Sequence, residues 1–361
     1  MTSRRDAAAL LGVVVAVLAT ACSGGGAGSS EDDRPTGRPD PVEGFVWPEV
    51  RPSAAGLDPA ALRLVAQDAR RAGSTCLLVV RGDRIAGEWY WRGGTADGPV
   101  AGFSITKSVT STLVGIAEAD GALDIDDRAA RYVREWRGTP AAAVTVRDLL
   151  SNDSGRKWSR ETDYAGLILA EDRTSYAVGL RQADRPGVVW NYNNAAIQTL
   201  DRVLRTATGM PTEDFAEERL FGPLGMSDTR MTGDTSGRST STAFGLESTC
   251  RDLARLGRLF AQGGVWEGER VVPRAWVEEA VGGPSQRLNP DYGLLWWLNT
   301  DGSLAPGAPR AIYAALGFGG QVLMVDPQSR TVVVRLGEPG EGAYDVAEAA
   351  RVVTEAVRPR Q

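Results

Sequence analysis

The chain has 361 residues, of which 42% are apolar and 24% charged, which is ordinary for a globular protein. Its net charge of −6 argues against a nucleic-acid-binding protein. It contains no histidine, which excludes a Ser-His-Asp triad, a Cys-His pair and a histidine-ligated zinc centre. A hydrolase built from this sequence must activate its nucleophile with lysine, tyrosine or a carboxylate.

The first 22 residues have the pattern of an export signal. Arg4 and Arg5 precede an apolar stretch at 7–19, which is shorter than the roughly 20 residues that span a bilayer. The segment ending at Cys22 resembles a bacterial lipobox, and the alternative is an ordinary signal peptidase site ending at Ala21. We therefore expect a lipoprotein signal peptide at 1–22. The mature protein would be an extracytoplasmic lipoprotein anchored to the bacterial cell membrane through Cys22, with a secreted protein as the alternative.

The composition of residues 23–43 predicts a disordered linker. Residues 23–30 are rich in glycine and serine, and residues 31–43 are charged and rich in proline. Such a segment cannot bury enough apolar surface to fold. The remaining residues, 44–361, are expected to form one domain.

Sequence patterns in this domain place helix and strands first, helices in the middle, and strands with a last helix at the end. Predicted helices cover 58–73, 104–121, 194–208, 249–261 and 346–357, and predicted strands cover 76–81, 85–91, 292–298, 311–316, 321–325 and 331–336. This order predicts a mixed α/β (α+β) fold with an antiparallel sheet flanked by helices. The α/β part would comprise about 44–130 and 287–361, and about 131–286 would form an inserted, mostly helical lobe.

Ser104 and Lys107 are the strongest candidates for a nucleophile and its base. They lie three residues apart at the start of an amphipathic helix, so their side chains share one face. The helix N-terminus also offers the N–H of Ser104 to a developing oxyanion. Burial and the positive helix end disfavour a charged lysine, which favours proton transfer from serine. A second Ser-x-x-Lys, Ser154 to Lys157, lies in a polar run typical of a loop.

Tyr192 and Asn194 form the only Tyr-x-Asn among the eight tyrosines. A tyrosine beside a Ser/Lys pair can shuttle a proton, and an asparagine amide can hold a substrate carbonyl or the lysine. The alternative is structural: Asn193 or Asn194 caps the following helix, and Tyr192 packs beside Trp190.

A glycine-rich segment, Gly317 to Gln321, precedes a predicted strand. Glycines at a strand edge let a substrate approach closely, and a main-chain N–H there can donate to an oxyanion. The alternative is a simple turn.

Two cysteines remain if Cys22 carries lipid. Cys76 and Cys250 would then be an even pair in an oxidising compartment, which allows a disulfide. Two unpaired buried thiols are the alternative.

These three motifs, in this order, resemble those of the penicillin-recognising serine hydrolases, the β-lactamase family. The similarity spans about 44–361 and is strongest to the class C-like branch, with its family VIII esterases, D,D-peptidases and 6-aminohexanoate-dimer hydrolases. It implies the β-lactamase/transpeptidase-like fold with an active site between the lobes, and no metal or cofactor.

The resemblance also implies functions for individual residues. Ser104 would be the nucleophile, Lys107 and Tyr192 the acid/base pair, and Asn194 a substrate contact. The N–H groups of Ser104 and Gln321 would form the oxyanion hole. The turn residues Phe318, Gly319 and Gly320 would contact substrate.

One departure from the family pattern concerns the substrate. β-Lactamases and D,D-peptidases of this branch usually begin the third motif with Lys or His, where this chain has Gly317 or Phe318. We therefore expect a small-molecule ester or amide with a neutral acyl group. Four tryptophans could line its pocket, with ordinary core packing as the alternative: Trp158, Trp190, Trp296 and Trp297. The alternatives are a D,D-peptidase acting on cell-wall peptides and a non-catalytic wall-binding module.

Overall fold

Both ends of the chain contribute strands to one six-stranded antiparallel sheet. The structure is a computed structural model that describes residues 45–338 and 344–357. The strands are β1 (Ser74–Arg81), β2 (Arg84–Tyr90), β3 (Val100–Phe103), β4 (Arg230–Met231), β5 (Leu246–Ser248), β6 (Val265–Trp266), β7 (Glu269–Arg270), β8 (Trp297–Leu298), β9 (Tyr313–Gly317), β10 (Gln321–Asp326) and β11 (Thr331–Gly337). The main sheet has the order β2-β1-β11-β10-β9-β8, so the predicted antiparallel sheet is confirmed.

Side chains of the central strands alternate between two hydrophobic cores. In β1, Leu78 and Val80 belong to the larger core, whereas Leu77 and Val79 belong to the smaller one on the opposite face. Because helices cover both faces, the central strands are continuous apolar runs instead of alternating with polar residues. The same burial leaves no exposed face in the middle of the sheet.

The helices divide between the two faces of the sheet and the inserted lobe. They are α1 (Pro59–Arg71), α2 (Ile105–Ala119), α3 (Val146–Ser151), α4 (Arg173–Gly179), α5 (Asn194–Thr208), α6 (Thr212–Ala216), α7 (Cys250–Ala261), α8 (Arg274–Val281) and α9 (Val346–Thr354). The terminal helices α1 and α9 pack together on one face of the sheet. The helix α7 packs on the other face, against β10 and β11, although its residues fall within the range assigned to the lobe.

The lobe combines α3–α6 and α8 with short helical segments and two small sheets. One small sheet has the order β3-β5-β4, and β6 and β7 form a hairpin. The short helical segments are 3-10 helices at Ala129–Arg131, Arg134–Trp136 and Pro140–Ala143, π-helices at Glu161–Gly166 and Glu217–Phe221, and α-helical turns at Leu167–Leu169 and Gly222–Leu224. A further 3-10 helix, Pro52–Ala55, precedes α1 outside the lobe. The helix α2 contacts β9 and β10 of the main sheet on one side and α5 of the lobe on the other. The start of α2 therefore lies between the two parts.

Two predicted elements differ from the structure. The strand expected at 292–298 is reduced to Trp297–Leu298, because Leu295 has a left-handed φ of 61°. The N–H of Leu295 donates to Leu150 O in the lobe, 3.1 Å away, instead of continuing a strand. The last helix ends at Thr354, three residues before the predicted end at Val357.

Cys76 in β1 and Cys250 at the start of α7 form a disulfide across 174 residues of chain. The bond fastens the covering helix α7 to the sheet. The signal peptide (1–22), the linker (23–43) and Cys22 lie outside the described residues. Within the described residues, no helix is both long and apolar enough to cross a membrane.

Candidate active site

Ser104 lies where β3 turns into α2. Phe103, the last residue of β3, has a φ of 47°, a conformation that residues other than glycine rarely adopt. The Thr106 hydroxyl holds this turn, because it donates to Phe103 O and accepts the N–H of Leu246 in β5 at 2.9 Å. The chain turns sharply at Phe103, and Ser104 therefore lies at the start of α2. The sequence predicted this position of Ser104.

Lys107 is hydrogen-bonded directly to Ser104. Its Nζ lies 2.8 Å from Ser104 Oγ and 2.7 Å from Ala243 O, and the side chain is only 1% exposed. Burial lowers the pKa of Lys107 to about 7, although the nearby Asp163 carboxylate acts in the opposite direction. A substantial fraction of Lys107 is therefore neutral near pH 7 and able to accept the proton of Ser104.

Tyr192 completes the group around the serine. Its ring centroid lies 4.8 Å from Lys107 Nζ. Burial raises the pKa of Tyr192 well above its usual range, and its hydrogen bond with Ser104 only partly offsets this. Trp158 Nε1 donates to Tyr192 O at 3.1 Å, and the Tyr192 ring stacks on Trp297. The phenol is therefore held in place and protonated in the resting site, which suits a proton donor better than a resting phenolate.

The structure separates the two asparagines that follow Tyr192. Asn193 caps α5, since its Oδ1 accepts the N–H of Ala196 at 2.8 Å, which agrees with the structural alternative. Asn194 is 5% exposed, and its Nδ2 donates to Asp163 Oδ2 at 2.8 Å. The amide of Asn194 is thus engaged inside the protein, and its predicted contact with substrate would have to use the remaining hydrogen-bonding capacity.

Asp163 is the site residue that the sequence analysis missed. Its carboxylate accepts the N–H groups of Asn194 and Ala195 at 3.1 and 2.8 Å, in addition to the Asn194 amide. It is 1% exposed; burial raises its pKa, whereas these hydrogen bonds and Lys107 lower it. The available signal was indirect: the first N–H groups of a buried helix need acceptors, and here the acceptor lies 31 residues away.

The glycine-rich segment is the hairpin between β9 and β10. The Phe318 ring meets the Phe103 ring edge-on at 5.4 Å, so this turn lies beside the residue that precedes the nucleophile. A Cβ on Gly317 would come within 2.3 Å of Gly102 O, which requires glycine where β9 approaches β3. Gly319 and Gly320 both have left-handed φ values, 76° and 78°. The structure therefore brings the third motif to the other two.

Gln321 is the first residue of β10 and is fully buried. Its Nε2 donates to Phe318 O at 3.0 Å, and its Oε1 accepts the N–H of Gly337 at 2.8 Å. Its side chain thus fastens the turn to the neighbouring strand β11. The identity of the second oxyanion donor, assigned to Gln321 from the sequence, stays a prediction.

Three of the four tryptophans considered for the pocket lie around Tyr192. Trp190 and Trp297 are half-buried and have their ring centroids 6.3 Å apart, and Trp158 holds the Tyr192 main chain. Trp296 is different, because it is fully buried and packs against Phe260 in the core. The expectation that Trp296 lines the pocket is therefore wrong.

Known proteins share both the sequence pattern and the fold. The 6-aminohexanoate-dimer hydrolase of Paenarthrobacter ureafaciens is 27% identical over 310 residues, covering 78% of this chain and 77% of that protein. A family VIII carboxylesterase structure aligns with a TM-score of 0.67 at 15% identity, covering 85% of this chain and 97% of that one. A D-stereospecific amidohydrolase from Streptomyces sp. aligns with a TM-score of 0.63 at 21% identity, covering 82% and 97%.

The structural likenesses confirm the predicted β-lactamase/transpeptidase-like fold. They also agree with the resemblance drawn from the three motifs. The sequence matches the profile of the Beta-lactamase family over residues 61–357, and the chain therefore belongs to that family of serine hydrolases.

Proposed function

We propose that this protein hydrolyses esters or amides with uncharged acyl groups through an acyl-enzyme on Ser104. The observation that carries the proposal is the 2.8 Å contact between Lys107 Nζ and Ser104 Oγ, made by a lysine that is almost completely buried. A buried lysine with a pKa of about 7 is suited to act as a general base near neutral pH. The assembled site argues against the non-catalytic binding module.

Acylation follows from this geometry. Neutral Lys107 takes the proton of Ser104 as Oγ attacks the carbonyl carbon, and the carbonyl oxygen becomes an oxyanion. Tyr192 donates its proton to the leaving oxygen or nitrogen and is reprotonated by the Lys107 ammonium, so the site returns to its starting charge. Water then attacks the acyl carbon, gives a proton to the base and releases the acid, and Ser104 recovers its proton. Because the pKa of Tyr192 is raised, Lys107 is the better first base.

The oxyanion would be bound by two main-chain N–H groups. One is that of Ser104, at the start of α2. The second belongs to the segment from Gly317 to Gln321, with Gln321 as the assignment from the sequence. The contact between Phe318 and Phe103 favours the N–H of Phe318 instead, because it brings that residue beside the nucleophile.

The proposed acyl preference rests on the third motif. Phe318 and Trp297 present apolar surface near Ser104 and Tyr192, where relatives that bind carboxylates carry a cation. An uncharged acyl group can be buried against this apolar surface at no electrostatic cost, whereas a carboxylate would be buried without a cation to pair with it. A peptidase acting on D-configured cell-wall peptides is the second candidate, favoured by the similarity to a D-stereospecific amidohydrolase.

The test is intact-mass spectrometry after exposure to a fluorophosphonate. We expect one adduct on the parent protein and none on Ser104→Ala, followed by turnover of neutral p-nitrophenyl esters. Esters that carry a negative charge on the acyl group should react more slowly. Release of D-alanine from a D-Ala-D-Ala peptide, faster than ester turnover, would favour the peptidase instead. A folded parent protein that forms no adduct would contradict the proposed function.

We also propose that the mature chain is held outside the cytoplasm by lipid on Cys22, with residues 23–43 as its tether. The supporting observation is the sequence pattern of residues 1–22. Intact mass of detergent-extracted protein from a bacterial host should show a diacylglyceryl group. Cys22→Ala should release the protein to the medium. An unmodified Cys22 in the parent would contradict the lipid anchor and leave secretion as the explanation.

A further inference from the structure

We propose that Arg335 is a positioning residue that holds the Phe318–Gly320 turn in the geometry needed for oxyanion binding. This inference rests on the proposed function, because it assigns the turn a part in the same reaction. Arg335 lies in β11 and belongs to none of the three sequence motifs.

Arg335 occupies an unusual place for an arginine. It is fully buried within β11, between Val334 and Leu336 in a strand of apolar residues. Burying a cation is costly unless its donors are satisfied. All three of its nitrogens donate to neutral oxygens: Nε to Ser74 Oγ at 2.8 Å, Nη2 to Ala72 O at 2.8 Å and Nη1 to Gly319 O at 2.7 Å.

These three bonds join two separate parts of the chain. Ala72 and Ser74 lie at the junction of α1 and β1, whereas Gly319 lies at the tip of the β9–β10 hairpin. The planar guanidinium fixes the distances among its acceptors, since its donors have a rigid arrangement. The hairpin tip is thus fastened to the junction between α1 and β1.

The surroundings are shaped around the guanidinium. Two glycines lie close enough that a Cβ would approach it: Gly337 within 2.5 Å of Nη2 and Gly320 within 3.2 Å of Nη1. The Tyr344 ring covers it, with its centroid 5.3 Å from Cζ. The strand, the turn and the segment before α9 therefore all leave room for this side chain.

The bond to Gly319 O also fixes the orientation of the peptides that follow Phe318, the residue whose N–H is favoured as the second oxyanion donor. In a trans peptide the C=O of one residue and the N–H of the next point in opposite directions. Arg335 holds Gly319 O, and Gln321 Nε2 holds Phe318 O, so the N–H groups of Gly320 and Gly319 are directed away from these two side chains. Two successive left-handed glycines would otherwise give this turn great freedom. Arg335 and Gln321 together remove that freedom at the hairpin that meets Phe103.

The experiment compares Arg335→Lys and Arg335→Met with the parent protein. Lysine keeps the charge but cannot reach all three acceptors, and methionine keeps only the apolar stem. We expect kcat per active site, counted by fluorophosphonate titration, to fall about 10- to 100-fold, less than the loss typical of deleting an oxyanion donor itself. KM should change less than threefold. Inhibition by a phenylboronic acid, whose adduct places an oxygen in the oxyanion hole, should weaken by a factor similar to the loss in kcat.

The matched control is Arg156→Met. Arg156 is 3% exposed, and its Nη2 also donates to main-chain carbonyls, those of Ala177, Val178 and Leu180, outside the third motif. We expect a similar fall in Tm for this variant but a kcat within twofold of the parent. Equal losses of kcat in the Arg156 and Arg335 variants, or an Arg335→Lys protein with parental kcat and boronic acid affinity, would overturn the proposal.

NMR relaxation tests the same idea without turnover. The backbone order parameters of Gly319 and Gly320 should fall in Arg335→Lys relative to the parent, while those of α2 remain unchanged. A parent protein that forms no serine adduct contradicts the proposed function alone. Unchanged order parameters at Gly319 and Gly320 contradict the positioning by Arg335, whatever the activity.

Discussion

The chain contains the Ser-x-x-Lys motif twice, and only one copy brings the serine hydroxyl and the lysine amine into contact. Ser104 and Lys107 lie on the first turn of α2, with Oγ and Nζ 2.8 Å apart. Ser154 and Lys157 lie in an irregular segment after α3, where Ser154 O accepts a hydrogen bond from Gln182 Nε2 and Lys157 is half-buried. In this chain, the serine and the lysine of the motif therefore meet only in the copy that has helical spacing and a deeply buried lysine.

The largest expected effect tests the difference between the two Ser-x-x-Lys copies by removing each lysine in turn. Lys107→Met should reduce the rate of Ser104 modification and of ester turnover by roughly 10³-fold, the range for removal of a general base. Lys157→Met should leave both rates within twofold. The rate of fluorophosphonate adduct formation measures both variants on one scale. Comparable losses in the two variants would mean that the geometry at Ser104 does not decide the chemistry.

A second substitution tests the Tyr192 hydroxyl, which lies near Ser104. Tyr192→Phe removes the hydroxyl near Ser104 and keeps the ring that stacks on Trp297. We expect kcat to fall by about 10²-fold, because the leaving group loses its proton donor. The effect should be smaller for esters with p-nitrophenolate, which leaves without protonation, than for alkyl esters or amides.

The matched control for this change is Tyr292→Phe. Tyr292 is a buried ring of the same cluster, 6.2 Å from Tyr192 between centroids. Its kcat should stay within threefold of the parent for every leaving group. Equal sensitivity to leaving group in both variants would argue against proton donation by Tyr192.

The smallest expected effect concerns pH. Lys107 must be neutral to act as a base, so the rate of Ser104 modification should rise as pH increases through about 7 and then level off. The Asp163 carboxylate raises the pKa of Lys107, and Asp163→Asn should therefore move the acidic limb to lower pH. The ratio of the rate at pH 6 to the plateau rate should increase, by about threefold.

Asp201→Asn is the control for the pH profile. Asp201 is a buried carboxylate on the same helix as Asn194, and it accepts from Thr174 and Thr212 instead of facing Lys107. In Asp201→Asn, the acidic limb of the pH profile should stay at the parental pH. A limb that does not move in Asp163→Asn, with the protein folded, would show that the carboxylate does not tune the lysine.

Elements with strong local signals were predictable from the sequence. The apolar periodicity that follows Ser104 predicted α2. Gly209, with a φ of 73°, ends α5 at the position that the sequence indicated. The central strands of the sheet, β1, β10 and β11, were predictable because they are apolar runs. The expected serine hydrolase function agrees with the family to which the chain belongs.

Features that depend on distant contacts were not predictable. Asp163 accepts the first N–H groups of a helix that begins 31 residues later, and the sequence around Asp163 does not indicate this contact. Leu295 interrupts a predicted strand because its N–H meets Leu150 of the lobe. Arg335 is one charged residue in an apolar strand, and its bond to Gly319 O joins residues that are 16 positions apart in the sequence. In each case the contacting residue is distant in sequence, and a single sequence does not reveal which distant residues meet in the fold.

The burial of α2 has a consequence for how the protein loses activity. Every residue from Ile105 to Ala117 is buried, so this helix has little access to local opening. Its amides should be among the slowest to exchange with solvent, at the free energy of global unfolding. We therefore expect the contact between Ser104 and Lys107 to persist until global unfolding, so that heat or denaturant abolishes adduct formation only when the whole domain unfolds.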